Sequence, residues 1–532
     1  MTAAAPEHGR DLLVLADRIH TCDTTDAATA LLIRDGRVVA VGAPDALRAA
    51  ADRPRTLDLP GATITPGLTD AHAHLTEWAF ARREVDLADA RSPAAAAALV
   101  QRHAEGSAAG AWVRGRGWNP HRWDGAAPHR VLLDAIDRPA ALQSHDMHAL
   151  WVNGAALALA GIDRNTPDPE GGTIVRSPDG EPTGVLLEWA SRLVTQHIAP
   201  PSLAAAAAAV RDAQAELHSL GITGIHSFPG IHLTKPDPLA VLRHLQERDE
   251  LRLRIVQLIA LDQLDAAITA GLRSGDGDDW IRIGAVKMFL DGALGSRTAW
   301  MREPYEDGSG CGIRTMDPAE FRACVQRAAA HGIACAVHAI GDAAVSLALD
   351  VLADPAVKVA AVPHRIEHLQ CCPVERLADA AWAGIVCSMQ PSHLMTDWSA
   401  ADDHWGEQRA RGTYAFGSLH RLGTILAFGS DVPVEPVDPR RGLFAAVTRQ
   451  DLTGAPEGGW FPDERIDALG ALHGFTTGPA RAAGLHAPAG SLAPGAAADF
   501  AAWDRDPCEN PETIMQARCV TTVVAGEVVH AC

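Results

Sequence analysis

Lysine is nearly missing from this 532-residue chain: Lys235, Lys287 and Lys358 are the only three among 46 basic side chains. Arginine therefore carries nearly all the positive charge, and 66 acidic residues outweigh it to a formal net charge of -20. A chain with that balance repels a phosphate backbone and anionic lipid, which argues against nucleic acid as a partner. No run approaches the roughly 20 apolar residues that a membrane span needs, so no membrane partner is expected. The first ten residues lack the basic and then apolar pattern of an export signal. CxxC pairs are also absent among the ten cysteines. Cys324, Cys335 and Cys387 fall inside apolar segments, where a thiol behaves as a small buried hydrophobe. Those features fit a reducing compartment and lead to the expectation of a cytoplasmic protein.

What is present is an ordinary globular composition, 47% hydrophobic and 21% charged, able to bury a sizeable core. From Asp11 to Leu59 the chain has short β-rich runs, with a hairpin signal at Asp35 and Gly36. The C-terminal stretch has the same style, turning at Gly526, and the two ends are expected to pair into one small β-sandwich. Between them, β-branched runs alternate with Ala-rich helical segments, the pattern of a parallel sheet buried on both faces. Nine runs qualify as strands: ATITP, AALQS, ITGIHS, RIVQLI, IGAVKMF, IACAVHA, HRIEHL, GIVCSM and TILAFGS. Eight close a barrel, so one belongs to an insertion. Helices are predicted over residues 202–220, 317–331 and 373–383, each stopped by a glycine at 221, 332 or 384. The fold class is α/β, a (β/α)8 TIM-like barrel over residues 61–487 with insertions. The small β-sandwich is built from residues 1–60 and 488–532.

Five segments carry candidate chemistry. In TPGLTDAHAHL, His72 and His74 are two apart, so in an extended chain both imidazoles point to one side and reach one metal ion. In a chain with 24 histidines such a pair also arises without function. Lys287 lies among Val286, Met288 and Phe289, where an ammonium is costly unless paired or neutralised. Reaction with CO₂ to give a carbamate is one solution; a buried stem with its ammonium at the barrel mouth is the other. His338 and His368 each end a strand candidate, the rim where barrel enzymes gather catalytic groups. Asp431 follows the strand TILAFGS, placed to bind a metal and take a proton from its water, or simply to make a turn.

In chain order these are HxH, Lys, His, His and Asp, each at or after a strand. The constellation resembles the amidohydrolase superfamily, in its subtype with a carbamylated bridging lysine. Within it the chain is similar to the amidohydrolase-3 or YtcJ-like branch, which includes N-substituted formamide deformylases. The blocks PGLTDAHAH, RGRGWNPHRW, DMHALWVN, VKMFLDGALGSRTA, VHAIGDAA, HRIEHLQ, FGSDVPVEP and GSLAPGAAADF carry it from about Asp11 to Val529. The resemblance implies that His72 and His74 hold one divalent metal, with Zn²⁺ the expected ion, and that His338 and His368 hold a second. It further implies that Lys287 bridges as a CO₂-derived carbamate and that Asp431 is both ligand and catalytic base for a metal-activated hydroxide. The substrate is then a small molecule whose non-peptide C–N bond, in an amide or N-formyl or N-acyl amine, is hydrolysed. Trp118, His148 and Arg297 are candidates to line its pocket, and Ala293 stands where the family often has serine.

A mononuclear deaminase of the same superfamily is the alternative, using one metal per chain and leaving Lys287 without a role. HAIGD offers it Asp342 in place of the usual glutamate. A non-catalytic scaffold of the same fold is expected to have lost ligands, whereas all six positions are filled here. Proteins of this kind often form homodimers, and nothing in the residues compels it.

Overall fold

The computed structural model describes residues 11–23, 28–105, 112–120, 123, 127–145, 147, 149–230 and 236–532. The chain divides into two compact units, one of Met1–Leu75, Arg211–Pro229 and Pro238–Cys532, the other of Thr76–Val210 and Gly230–Asp237.

The first unit contains eight parallel strands: β1 (Leu68–Ala73), β2 (Ile222–Ser227), β3 (Arg254–Ala260), β4 (Ile281–Phe289), β5 (Cys335–Ala339), β6 (Arg365–His368), β7 (Val386–Met389) and β8 (Leu426–Phe428). They neighbour one another in chain order from β1 to β8. A bridge between Ala73 and Val432 joins the last strand's exit to the first, so the sheet curls into a barrel. The strands are short and apolar because both faces are covered, and in β7 every residue is buried. Helices return the chain between them. Pro318–Ala330 shows why they start where they do: the Asp317 side chain accepts from the Ala319 amide and proline fills the first turn. Gly332 (φ 74°) and Gly384 (φ 67°) end two helices in the left-handed conformation.

Strands from both chain ends meet in one seven-stranded sheet of the same unit. Its order is Glu527–Ala531, Cys519–Val524, Phe500–Trp503, Arg55–Pro66, Leu12–Ile19, Ala28–Arg34 and Arg37–Gly42. The join is Phe500 against Pro66 and Trp503 against Thr63, antiparallel, over a core of Leu12, Val14, Ile64, Phe500 and Val523. The candidate strand ATITP therefore belongs to this sheet and not to the barrel.

A polar cluster also pins the two ends. Arg18 donates to Asp506 at 2.8 Å, and His20 Nε2 lies 2.9 Å from the same carboxylate. Burial works against the Asp506 charge, but the bonds from His20, the Cys508 amide and Arg18 prevail and hold its pKa down to about 2. A depressed carboxylate stabilises the fold above its unfolded pKa, and that stabilisation is lost as pH falls through the folded value. Asp506→Asn should therefore lose about 2 kcal/mol at neutral pH. Thermal midpoints of variant and parent, recorded from pH 7 downward, should keep a constant gap to about pH 4 and converge below it. A gap that widens on acidification would contradict this assignment.

The second unit has its own six-stranded sheet, ordered Gly172–Arg176, Pro182–Glu188, Ala149–Val152, Ala140–Ser144, Val113–Trp118 and Val85–Asp86. The candidate strand AALQS lies here. Among the described residues, no helix is long and apolar enough to cross a membrane.

Candidate metal centre

The paired histidines sit at the C-terminal end of β1. The Asp70 Oδ1 carboxylate oxygen accepts from the amides of His72 and Ser430, both at 3.0 Å, while Oδ2 accepts from Ser430 Oγ at 2.6 Å. In the same region the Asp431 amide donates to the His72 carbonyl at 2.7 Å, and the His74 amide to the Val432 carbonyl at 2.9 Å. The β8 exit thus runs against β1 so closely that a Cβ at Gly429 would lie 2.4 Å from the His72 nitrogen. Only glycine fits that approach. Asp431 itself is left-handed (φ 61°), as is His368 (φ 68°) at the end of β6. Such conformations, at about 1–3 kcal/mol each, are held only where the surroundings over-determine them, which is typical of functional sites.

Each imidazole of the pair has one nitrogen committed. His72 Nδ1–H donates to Glu367 Oε2 at 2.7 Å, and His74 Nδ1–H donates to the Pro229 carbonyl at 2.7 Å. Both Nε2 atoms then present lone pairs, and they face the same Asp431 oxygen, Oδ1, at 3.3 and 3.4 Å. Lone pairs against a carboxylate repel, and a cation among them turns repulsion into ligation. Donor atoms each about 2.1 Å from a tetrahedral ion stand about 3.4 Å apart, the spacing found here. Two imidazoles and a carboxylate are also a donor set that suits Zn²⁺. The residues fit a divalent metal.

Electrostatics hold the side chains in ligand-competent forms. Burial, reinforced by Lys287 and opposed by Asp431, pushes His72 down to about 4. Burial and Lys287 push His338 down to about 3. His368 is lowered well below the ordinary value, burial being the main cause and His338 the next. Asp431 is held well below the usual carboxylate range: burial opposes its charge, but His72, His74 and His368 outweigh it. Near neutrality the imidazoles are uncharged and the carboxylate is ionised, the protonation states metal binding requires.

Lys287, on β4 beside Ala260 of β3 and Ala336 of β5, is 4% exposed. Its Nζ lies 4.8 Å from the Phe228 ring and 4.6 Å from that of Phe289, and among the described residues it makes no hydrogen bond or ion pair. Burial brings its pKa down to about 8, against the pull of Glu367 and Asp431. His338, on β5, places Nε2 3.0 Å from the Gly292 carbonyl, and its ring centre is 4.6 Å from that of His368. The structure thus gathers His72, His74, His338, His368 and Asp431 at the C-terminal rim of the barrel.

The pocket-lining candidates fare differently. Trp118 is 2% exposed, its indole N–H donates to the Leu142 carbonyl at 2.8 Å, and it packs with Trp123 and Trp151. Its assignment as a pocket residue is therefore corrected: it is core of the second unit. Arg297 forms an ion pair with Asp307 at 2.7 Å on an exposed loop. His148 lies outside the described residues. Asp342 opens the helix Asp342–Leu352 and accepts from the Arg302 amide at 2.8 Å.

Several residues emerge only in three dimensions. Glu367 is fully buried and bound by Arg365, which also reaches the Ala71 carbonyl, His226 Nδ1 and Ser388 Oγ, linking β1, β2, β6 and β7. Phe228 stacks on His72 with ring centres 3.7 Å apart. His393, on the turn Pro391–His393 after β7, lies 4.0 Å from Asp431 Oδ2. Its sequence signal, a histidine just after the strand GIVCSM, is the one that His338 and His368 give. The segment from Gln390 to Gly423 is packed structure, with helices Leu394–Ala410 and Phe416–Arg421 and with Trp405 and Tyr414 buried.

Glu367→Gln tests the support beneath His72. A glutamine accepts the same N–H without the charge, and outer partners of ligating histidines are typically worth 10- to 100-fold in metal affinity. Competition with a chelator should show about a tenfold weaker metal affinity at unchanged stoichiometry. Unaltered affinity would remove Glu367 from the metal-binding apparatus.

Comparison with known proteins adds kinship to this geometry. The sequence model of the amidohydrolase family matches residues 55–530. The protein LONG AFTER FAR-RED 3 of Arabidopsis thaliana is 31% identical over 97% of this chain and 91% of its own length. An N-substituted formamide deformylase of Arthrobacter pascens is 29% identical over 94% of each. Among solved structures, an uncharacterized metal-dependent hydrolase from Pyrococcus horikoshii superposes with a TM-score of 0.79 at 27% identity, covering 94% of this chain and 99% of that one.

Proposed function

Because this chain belongs to the amidohydrolase family, we propose that it is a metal-dependent hydrolase of non-peptide carbon–nitrogen bonds, acting on an amide or an N-formyl or N-acyl amine. One observation carries the reading: the Nε2 atoms of His72 and His74 converge on a single oxygen of Asp431. His72, His74 and Asp431 would hold one divalent cation, and His338 and His368 a second, with Lys287 as a CO₂-derived carbamate between them. A bound divalent cation lowers the pKa of water toward neutrality and polarises a carbonyl oxygen.

The remaining work falls to the chain. Asp431 keeps Oδ1 toward the paired imidazoles, leaving Oδ2 to take a proton from the attacking water and return it to the leaving nitrogen. Glu367 fixes the His72 tautomer, so that Nε2 and not Nδ1 faces the centre. Phe228 covers one face of the His72 ring and limits both its rotation and the approach of water.

The similarity to a formamide deformylase makes N-formyl amines the first substrates to try. Zinc-loaded protein incubated with a panel of N-formyl and N-acyl amines should release the acid and the free amine, with elemental analysis run beside it. Release of ammonia from an aromatic amine, with no amide turned over, would replace this reading by the mononuclear deaminase.

A further inference from the structure

Among the described residues, three groups bring a potential ligand atom from each of three side chains within 4.8 Å of one another. His20, Asp506 and Cys508 form the first, where Arg18 already neutralises the carboxylate. His72, His74 and Asp431 form the second. The third is His368, His393 and Asp431, and it does not include His338.

His393 reaches this place because the chain makes one tight turn, Pro391–His393, directly after β7. Its Nε2 is sealed from solvent, has no hydrogen-bond partner, and lies 4.0 Å from Asp431 Oδ2. His368 Nδ1 is likewise buried and unpartnered, and the two rings lie 6.1 Å apart and tilted by 31°. A buried polar nitrogen left without a partner costs about 1–3 kcal/mol. His368, His393 and Asp431 each offer a ligand atom within 4.8 Å of the other two, a donor set that a single cation can satisfy. His338 differs, since its Nε2 is committed to the Gly292 carbonyl.

We propose that His393 is a ligand of the second cation position, sharing it with His368 and with Asp431, which gives Oδ1 to one cation and Oδ2 to the other. The proposal rests on the metal-dependent reading above and adds a seventh residue to its six. Oδ2 would then serve the cation and the proton transfer in turn. The second position is thereby made from the turn after β7 as well as from the strand ends, and it can be lost without dismantling the first.

The test uses full-length protein, stripped of metal and reloaded with Co²⁺ in the presence of bicarbonate. Parent, His393→Gln and His393→Cys are compared for bound cobalt and for visible and near-ultraviolet absorption. His393→Gln should lose roughly one equivalent per chain while retaining the first. His393→Cys should regain it and show a thiolate-to-cobalt charge-transfer band that the parent lacks, since thiolate is itself a good ligand. Circular dichroism and the thermal midpoint establish that each variant is folded; if His393→Gln is not, the His393→Cys band decides alone. Full occupancy in His393→Gln at parental affinity, or no band in cobalt-loaded His393→Cys, overturns the proposal and leaves the hydrolase reading intact. A parent that binds no divalent metal at all overturns the reading itself.

Discussion

Asp431→Asn is expected to keep the fold and to lose about 10³-fold in kcat, within the 10²–10⁴ range of a general acid–base residue. Asparagine is nearly isosteric and retains Oδ1, so the bond from the Asp431 backbone amide to the His72 carbonyl and the turn that follows it should survive. It cannot accept a proton at pH 7, and it no longer offers a charge to the cation. Its amide N–H groups can instead donate to the Nε2 lone pairs of His72 and His74, which the carboxylate repels when no cation lies between them. Two stabilities should therefore move in opposite senses. Metal-free Asp431→Asn should melt at or above metal-free parent, whereas added Zn²⁺ should raise the parent's midpoint more than the variant's. Steady-state kinetics on whichever N-formyl or N-acyl amine is turned over, with thermal melts in chelator and in Zn²⁺, provide the check. Activity within tenfold of the parent would remove Asp431 from the chemistry.

Lys287→Ala is expected to be as damaging and, unlike Asp431→Asn, partly reversible. Removing the propylammonium beyond Cβ leaves a slot beside the Phe228 and Phe289 rings, into which acetate or propionate can bring the oxygen atoms that a carbamate supplies. The variant should lose about 10³-fold in kcat, the order expected when a reacting water is no longer properly positioned and activated. Millimolar short-chain carboxylate should restore part of it. In the parent, carbamate formation needs the neutral amine, and burial lowers Lys287 to about 8. The amine is charged below that value and neutral above it. At fixed dissolved CO₂, reactivation of metal-free protein by Zn²⁺ should therefore quicken about tenfold per pH unit below 8 and level off above it. Reactivation that is indifferent to CO₂ and pH would mean that Lys287 acts as an ammonium. The mononuclear alternative would then regain ground.

Much of this was legible along the chain. Seven of the nine candidate strands, from ITGIHS to TILAFGS, are β2 to β8, because a strand covered on both faces must be a short apolar run. The two that fail do so for one reason. ATITP and AALQS are just as apolar, but they serve the terminal sheet and the second unit, and hydrophobicity does not name the partner strand. The true first strand, LTDAHA, escaped because half of it is polar: Asp70 is buried by the bonds of Ser430, and His72 by Glu367. Trp118 misled in the opposite sense, since an aromatic residue in a distinctive block reads alike whether it lines a pocket or fills a core.

The sequence by itself determined the kind of molecule and the inventory of its centre. Periodicity and burial set the barrel, and the HxH pair, the solitary strand lysine and the rim residues His338, His368 and Asp431 are visible as residue types at strand ends. Only the tertiary structure decided which of their atoms face one another: that Nε2 of His72 and of His74 share one oxygen of Asp431, that Glu367 and Arg365 stand beneath them, and that His393 comes round to the other oxygen. Local sequence fixes which side of a strand a side chain takes. Distances between residues hundreds of positions apart depend on how the barrel closes and which turns follow its strands, and those are set by packing over the whole unit.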